Sequence, residues 1–202
     1  MPPVEHTAAV IALWALIGYL LGSIPFGMVL ARLMGLGNLR DIGSGNIGAT
    51  NVLRTGNKLA AALTLVLDGG KGAVAVLAAR AAGSEDLAQV AGLMAMIGHC
   101  YPVWLRFAGG KGVATFLGIV LALAWPVGIG CCLAWLAGAL STRISSMGAL
   151  VASAASLPLA VVLGFGHGVI LFALLAVLIF WRHRSNIARI QAGTEPKIGQ
   201  KT

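Results

Sequence analysis

Charge is scarce in this chain: of 202 residues, 6 are Asp or Glu and 14 are Lys or Arg, 10% in all. A soluble domain carries roughly 25% charged residues, so a water-facing surface of ordinary extent is excluded. Cysteine is scarce as well. Cys100, Cys131 and Cys132 lie within or beside apolar runs, without metal-ligand spacing, and read as buried thiols rather than as a disulfide framework. Clustered aspartates, which metal-dependent phosphatidyl-group transferases need, are missing: near the polar stretches stand only the aspartates Asp41 and Asp68, in different segments, and no metal is implied. The first apolar run follows Glu5 and His6 with no basic n-region and no A-x-A-like site close behind, so it is expected to remain as a first span.

What is present is hydrocarbon. Hydrophobic residues make up 58% of the chain and mean hydropathy is +0.92. Apolar runs occupy 8–33, 58–82, 86–105, 113–125, 126–141, 146–165 and 167–182, most of them near the roughly 20 residues a bilayer core requires. This predicts an all-α polytopic membrane bundle, with residues 1–202 as a single domain. The net charge of +8 then points to the cytoplasmic membrane face or to anionic substrates met there, and not to nucleic acid. Arg40, Arg54 and Lys58 separate runs one and two, Arg106 and Lys111 separate three and four, and Arg143 separates five and six. Arg182, Arg184, Arg189, Lys197 and Lys201 follow the last. If these cations are cytoplasmic, an even number of crossings joins the Lys111 loop to the tail. A break at Trp125-Pro126 supplies that number, giving seven spans with the N-terminus outside and the C-terminus inside. The fourth, 113–125, would cover only about 20 Å, and Arg80, near the outer end of run two, defies the charge rule.

Polar residues gather in four places. Gly109-Gly110-Lys111-Gly112 lies between two apolar runs. Glycine amides can converge on an anion, lysine adds a point charge, and a helix restarting at Val113 would aim its N-terminal end there. The first loop holds Gly43, Ser44, Gly45, Asn46, Thr50, Asn51 and Arg54, rich in donors for anionic oxygens, with a fork at Arg54. Asp68 and Lys71 stand one turn apart inside run two, which suits an internal ion pair locking that helix to its neighbours. In the tail, continuing the last helix would place His183 and Asn186 at i, i+3, with Arg182 and Arg189 on a neighbouring stripe. His99 reads as a helix-end histidine beside Pro102, and His6 and His167 lie on the other face.

Taken together, and in this order, these stretches resemble the bacterial acyl-phosphate:glycerol-3-phosphate acyltransferase family. The likeness runs from Gly22-Ser23-Ile24-Pro25-Phe26-Gly27 through residues 40–54 and Asp68-x-x-Lys71-Gly72. It continues with Gly98-His99-x-Tyr101-Pro102 and the Gly-Gly-Lys-Gly stretch, and ends in Arg182-His183-Arg184-x-Asn186-Ile187-x-Arg189 and Gly193-x-Glu195. The resemblance implies transfer of a fatty acyl group from an acyl-phosphate to glycerol 3-phosphate at the cytoplasmic face of a bacterial inner membrane. It implies membrane lipid as surroundings and product, and neither a cofactor nor coenzyme A or acyl carrier protein as direct donor. It marks Ser44, Arg54, Lys111, His183 and Asn186 as active-site positions, and Glu195 as an acidic position better suited to structure than to chemistry.

The residue types fit such a reaction. Two phosphates must meet beside a membrane, which favours glycine amides, Lys111 and Arg54 over carboxylates. The attacking hydroxyl must lose a proton, either to His183 or to a substrate phosphate while His183 only orients; Ser44 as a covalent carrier lacks an evident base partner. No histidine here has an aspartate five residues on, the pair common in acyltransferases that use thioester donors. A small exporter of phosphorylated compounds is the rival from another class, but it calls for polar groups through the membrane's depth rather than crowded on one face.

Overall fold

Ser23-Ile24-Pro25 interrupts the first apolar run. Pro25 has no N–H to continue the ladder, and α1 (Ala8–Gly22) gives way to α2 (Phe26–Leu33). This computed structural model describes residue 2 and residues 5–200; Lys201, counted above among the tail cations, lies outside the described residues. All regular elements among the described residues are helical, and the chain divides into two compact units, residues 2–123 and the part from Ala124 on.

The first unit continues with α3 (Ala49–Leu53), α4 (Lys58–Ala82), α5 (Glu85–Cys100) and α6 (Val113–Leu123). Its helices approach closely where glycine removes a side chain, as small residues allow in lipid. A Cβ at Gly72 on α4 would meet Thr115 O of α6 at 2.8 Å, and one at Gly118 on α6 would meet the Gly69 carbonyl carbon at 2.7 Å. Between α1 and α5, a Cβ at Gly98 would meet Ser23 Oγ at 2.8 Å. The second unit holds α7 (Trp125–Thr142), α8 (Ser145–Val162), α9 (Val169–Arg182) and α10 (Arg184–Gln191).

Among the described residues four helical stretches have the length and apolarity to cross a membrane: Ala8–Leu33, Lys58–Ala82, Trp125–Thr142 and Ser145–Val162. A fifth arises if Gly166–Arg182 is taken with Arg184–Gln191 as one bent span. The chain is a multi-pass membrane protein. The helices that fall short are α5, with 16 residues, and α6, with 11. At 1.5 Å per residue α6 covers only about 16 Å, because it ends at Leu123 and the break anticipated at Trp125-Pro126 falls at Ala124. Pro126 sits in the first turn of α7, where its missing N–H costs nothing.

Arg80, the cation on the unexpected side, accounts for that early end. Its Nε and Nη2 reach Glu85 Oε2 and Oε1 at 2.9 and 3.0 Å. The guanidinium also donates to Ala122 O at 2.6 Å and Leu123 O at 3.1 Å. The carbonyls a helix leaves unsatisfied at its C-terminus are thus met by a charged donor. With 34% and 27% of the two side chains exposed, the ion pair alone contributes well under about 1 kcal/mol. Hydrogen bonds from a charged group are worth about 1.5–3 kcal/mol. Arg80→Met is therefore expected to destabilise the fold by about 2 kcal/mol in detergent unfolding, whereas Glu85→Gln costs much less; equal midpoints for the two variants would discount the carbonyl bonds.

Candidate active site

The loop between α2 and α4 is organised by one amide. Asn51, on the short helix α3 and 1% exposed, donates from Nδ2 to Leu39 O at 2.9 Å and Asn46 O at 2.6 Å. Its Oδ1 accepts from the Ser44 N–H at 3.1 Å, Ser44 Oγ at 3.3 Å and Arg54 Nη1 at 3.4 Å. Asn51 therefore holds Ser44, Asn46 and Arg54 together. Gly43 and Gly45, at φ +53 and +64, turn the chain through the left-handed region that favours glycine. At Gly43 space demands glycine too, since a Cβ would come within 2.6 Å of Arg54 Cδ and Nη1. Ser44 and Thr50 are exposed and Arg54 half-buried, so the cluster presents a hydroxyl and a guanidinium at the surface.

The glycine–lysine loop follows two residues held in the left-handed region without being glycine, Arg106 at φ 51 and Phe107 at φ 62. Such conformations cost on the order of 1–3 kcal/mol each and cluster at functional sites. They turn the chain back on the end of α5, where Gly109 N donates to Cys100 O and Gly110 N to His99 O, both at 3.1 Å. The sequence reading gives these glycines anion-binding amides. In the structure the two N–H groups serve the α5 carbonyls instead, and the missing side chains let the loop lie flat on His99 and Pro102. Gly112, at φ +83, leads into α6, and Lys111 is half-buried.

Arg40 joins the two loops. Its Nη2 donates to Ala108 O, immediately before Gly109, and its Nη1 reaches Gly45 O at 3.5 Å. The Ser44–Arg54 cluster and the Lys111 loop thereby become neighbours within the first unit. Below them Lys71 Nζ lies 2.7 Å from Asp68 Oδ1, with His99 Nδ1 3.8 Å from the same oxygen.

In the second unit the last helix does not continue through His183, as its spacing suggested. It ends there, and α10 leaves at 61°. His183 is 2% exposed, with Nδ1 2.8 Å from Ile179 O. A carbonyl only accepts, so Nδ1 carries the proton of this bond. Glu195 draws three elements together. Its Oε1 accepts from Asn186 Nδ2 and, at 2.7 Å, from Ser146 Oγ on α8, while Oε2 accepts from Arg189 Nε at 2.7 Å. Among the described residues no group of three or more His, Cys, Asp or Glu side chains could hold a metal ion.

Arg40 and His99 are not among the residues the sequence marks, although the structure sets both against the glycine–lysine loop. The only signal for Arg40 was its position in a donor-rich loop, and for His99 its place in the Gly-His-x-Tyr-Pro stretch. Their roles rest on contacts across 68 residues and across the α5 end, which no local spacing reveals.

Over residues 12–193 the chain matches the family described as glycerol-3-phosphate acyltransferase. It is 83% identical to the glycerol-3-phosphate acyltransferase of Roseobacter denitrificans, over 98% of this chain and 99% of that one. With the protein of the same name from Ruegeria pomeroyi it shares 68% identity over 100% of both. Among solved structures it is similar to PlsY, an integral membrane glycerol 3-phosphate acyltransferase, in its glycerol 3-phosphate form. That likeness has a TM-score of 0.88 and 38% identity, and covers 94% of this chain and 96% of that one. The lysophosphatidic acid form of PlsY gives a TM-score of 0.84 at 36% identity, over 94% and 95% of the two chains.

Burial alone would raise the Glu195 carboxyl, but the bonds from Asn186, Ser146 and Arg189, with the Arg189 charge, outweigh it and hold the group below the usual glutamate value. A folded-state value below the unfolded one gives stability that is complete above the unfolded value and is lost as pH falls through the folded one. Thermal midpoints of the wild type are thus expected to drop on acidification through the carboxylate range. Glu195→Gln should be less stable at neutral pH by about 1–3 kcal/mol and lose less than the wild type through that range; parallel curves for the two proteins would contradict this.

Proposed function

The chain belongs to the glycerol-3-phosphate acyltransferase family, and from that premise we propose that it acylates sn-glycerol 3-phosphate from a fatty acyl-phosphate. The products are lysophosphatidic acid and inorganic phosphate. The observation that carries this reading is the Arg40 bridge, which makes neighbours of a loop bearing Ser44 and Arg54 and a loop bearing Lys111. Two cationic loops side by side suit a reaction between two phosphate-bearing partners.

In this proposal the glycerol hydroxyl attacks the acyl carbonyl carbon, the bond from that carbon to the phosphate oxygen breaks, and phosphate leaves with the electron pair. Lys111 and Arg54 neutralise phosphate oxygens, Arg54 as a fork. Ser44, Asn46, Thr50 and the glycines of both loops frame the substrates, held in place by Asn51. The hydroxyl proton goes to a phosphate oxygen. His183, its ring fixed through Nδ1, and Asn186 orient the substrate; Glu195, Asp68 and Lys71 support the structure. Residues 1–202 are a single acyltransferase domain in this proposal.

The proposed topology has seven crossings, with α5 and α6 as the short ones, the N-terminus outside and the C-terminus inside. The active site then faces the cytoplasm at the bacterial inner membrane, in line with the cations of the Lys111 loop and the tail.

The test supplies palmitoyl-phosphate and glycerol 3-phosphate to protein purified in lipid, without metal or coenzyme A, and follows phosphate and lysophosphatidic acid together. Equal appearance of both is expected; phosphate alone would mean hydrolysis, and neither would overturn the reading. Lys111→Ala should lower kcat/KM for glycerol 3-phosphate by roughly 100-fold or more. Arg54→Lys should also be damaging, since a point charge cannot form the fork. His183→Gln separates orientation from base catalysis: retained turnover with a flat pH profile supports proton transfer to phosphate, and loss of turnover together with an acidic limb in the wild-type profile supports His183 as the base.

A further inference from the structure

Asp68, Lys71 and His99 make up a buried ionic cluster that takes no direct part in the proposed transfer. Their side chains are 4%, 3% and 5% exposed. Charges inside a membrane span are costly and tend to be retained where they have a task. The geometry shows where this cluster leads. One edge of the His99 ring faces Asp68, with Nδ1 3.8 Å from Oδ1. The other edge faces the glycine–lysine loop: a Cβ on Gly110 would lie 2.9 Å from Cε1 and 3.1 Å from Cδ2, and would overlap Nε2. The main chain adds a second hold, since Gly110 N donates to His99 O at 3.1 Å. The next residue is Lys111.

We infer that His99 is a positioning residue for Lys111: its ring, braced by the Asp68–Lys71 pair, is the floor on which Gly110 rests and sets the direction in which Lys111 leaves the loop. This explains why position 110 lacks a side chain although its N–H is already engaged by His99 O. It also gives the buried ion pair a task, namely to fix one edge of the imidazole so that the other edge is a rigid surface. A displacement of about 1 Å arising away from the reacting atoms can cost on the order of 100-fold in rate.

The inference rests on the acyltransferase reading, and the experiment keeps the two apart, because an inactive wild type would sink that reading before any variant is compared. Two substitutions divide the ring. His99→Gln carries an amide to the place of Nε2, beside Gly110, while His99→Asn carries one to the place of Nδ1, beside Asp68, and removes the floor. In lipid, with palmitoyl-phosphate and glycerol 3-phosphate, His99→Gln, which keeps the floor but loses the brace, is expected to raise KM for glycerol 3-phosphate about threefold, and His99→Asn, which loses the floor, at least about tenfold, with thermal midpoints close together. Equal KM for the two, or a lower midpoint with unchanged KM, would overturn the inference and leave His99 as packing alone. Should either variant fail to fold, Asp68→Asn tests the brace from its far side without changing shape. A rise in KM for glycerol 3-phosphate supports the positioning role, and wild-type KM refutes it.

Discussion

An ammonium group inside a membrane-spanning helix must be matched or it cannot stay, and the first unit is arranged around the matching of Lys71. Its Nζ lies 2.7 Å from Asp68 Oδ1 and 2.7 Å from Ile24 O. The second acceptor is available because Pro25 breaks the first span just there and leaves a carbonyl outside any ladder. That carbonyl accepts from the Phe26 N–H at 3.1 Å, and its second lone pair is left to take the ammonium. The break thus supplies an acceptor for the charge. Asp68 extends the arrangement, with its main-chain oxygen accepting from Thr115 Oγ1 at 2.9 Å and its carboxylate facing His99. The broken first span, α4, α5 and α6 all meet at one turn of α4.

The same economy governs the first loop. The Asn51 side chain donates to two carbonyls and accepts from Ser44 and Arg54, so one buried amide replaces the regular structure that the loop lacks. The loop thus keeps Ser44 and Arg54 in a defined relation while its glycines turn freely. Arg40 then passes that order across to the Lys111 loop. Glu195 has a comparable place in the second unit, where one carboxylate ties α8 to α10 and the segment beyond it.

How much of this the sequence disclosed depended on the kind of force involved. Apolar runs mark helices because burial in lipid acts on each segment separately, and each run contains a helix, with Pro126 in the first turn of α7 beside the break. The Asp68–Lys71 pair was legible because both partners lie on one helix turn. The end of α9 was not legible: residues 182–191 are helix-compatible throughout, and the 61° change of direction at His183 has no Pro or Gly to announce it. The glycine loop misled in one respect, since a Gly-Gly pair fits amides turned toward an anion and fits close packing equally well. Only the α5 carbonyls distinguish the two. Arg80 looked misplaced because the carbonyls it serves lie 42 and 43 residues away, a distance no charge count along the chain can register.

The glycine contacts that bring α4 against α6, and α1 against α5, bear on traffic as well as on cohesion. Where backbone lies against backbone there is no furrow for hydrocarbon, and a fatty chain cannot slip from the bilayer through either seam. Both seams act as closed walls. In the proposed reaction the fatty acyl donor and its product would have to enter and leave elsewhere, and a side chain larger than hydrogen at Gly72, Gly98 or Gly118 would pry a wall apart rather than narrow a passage.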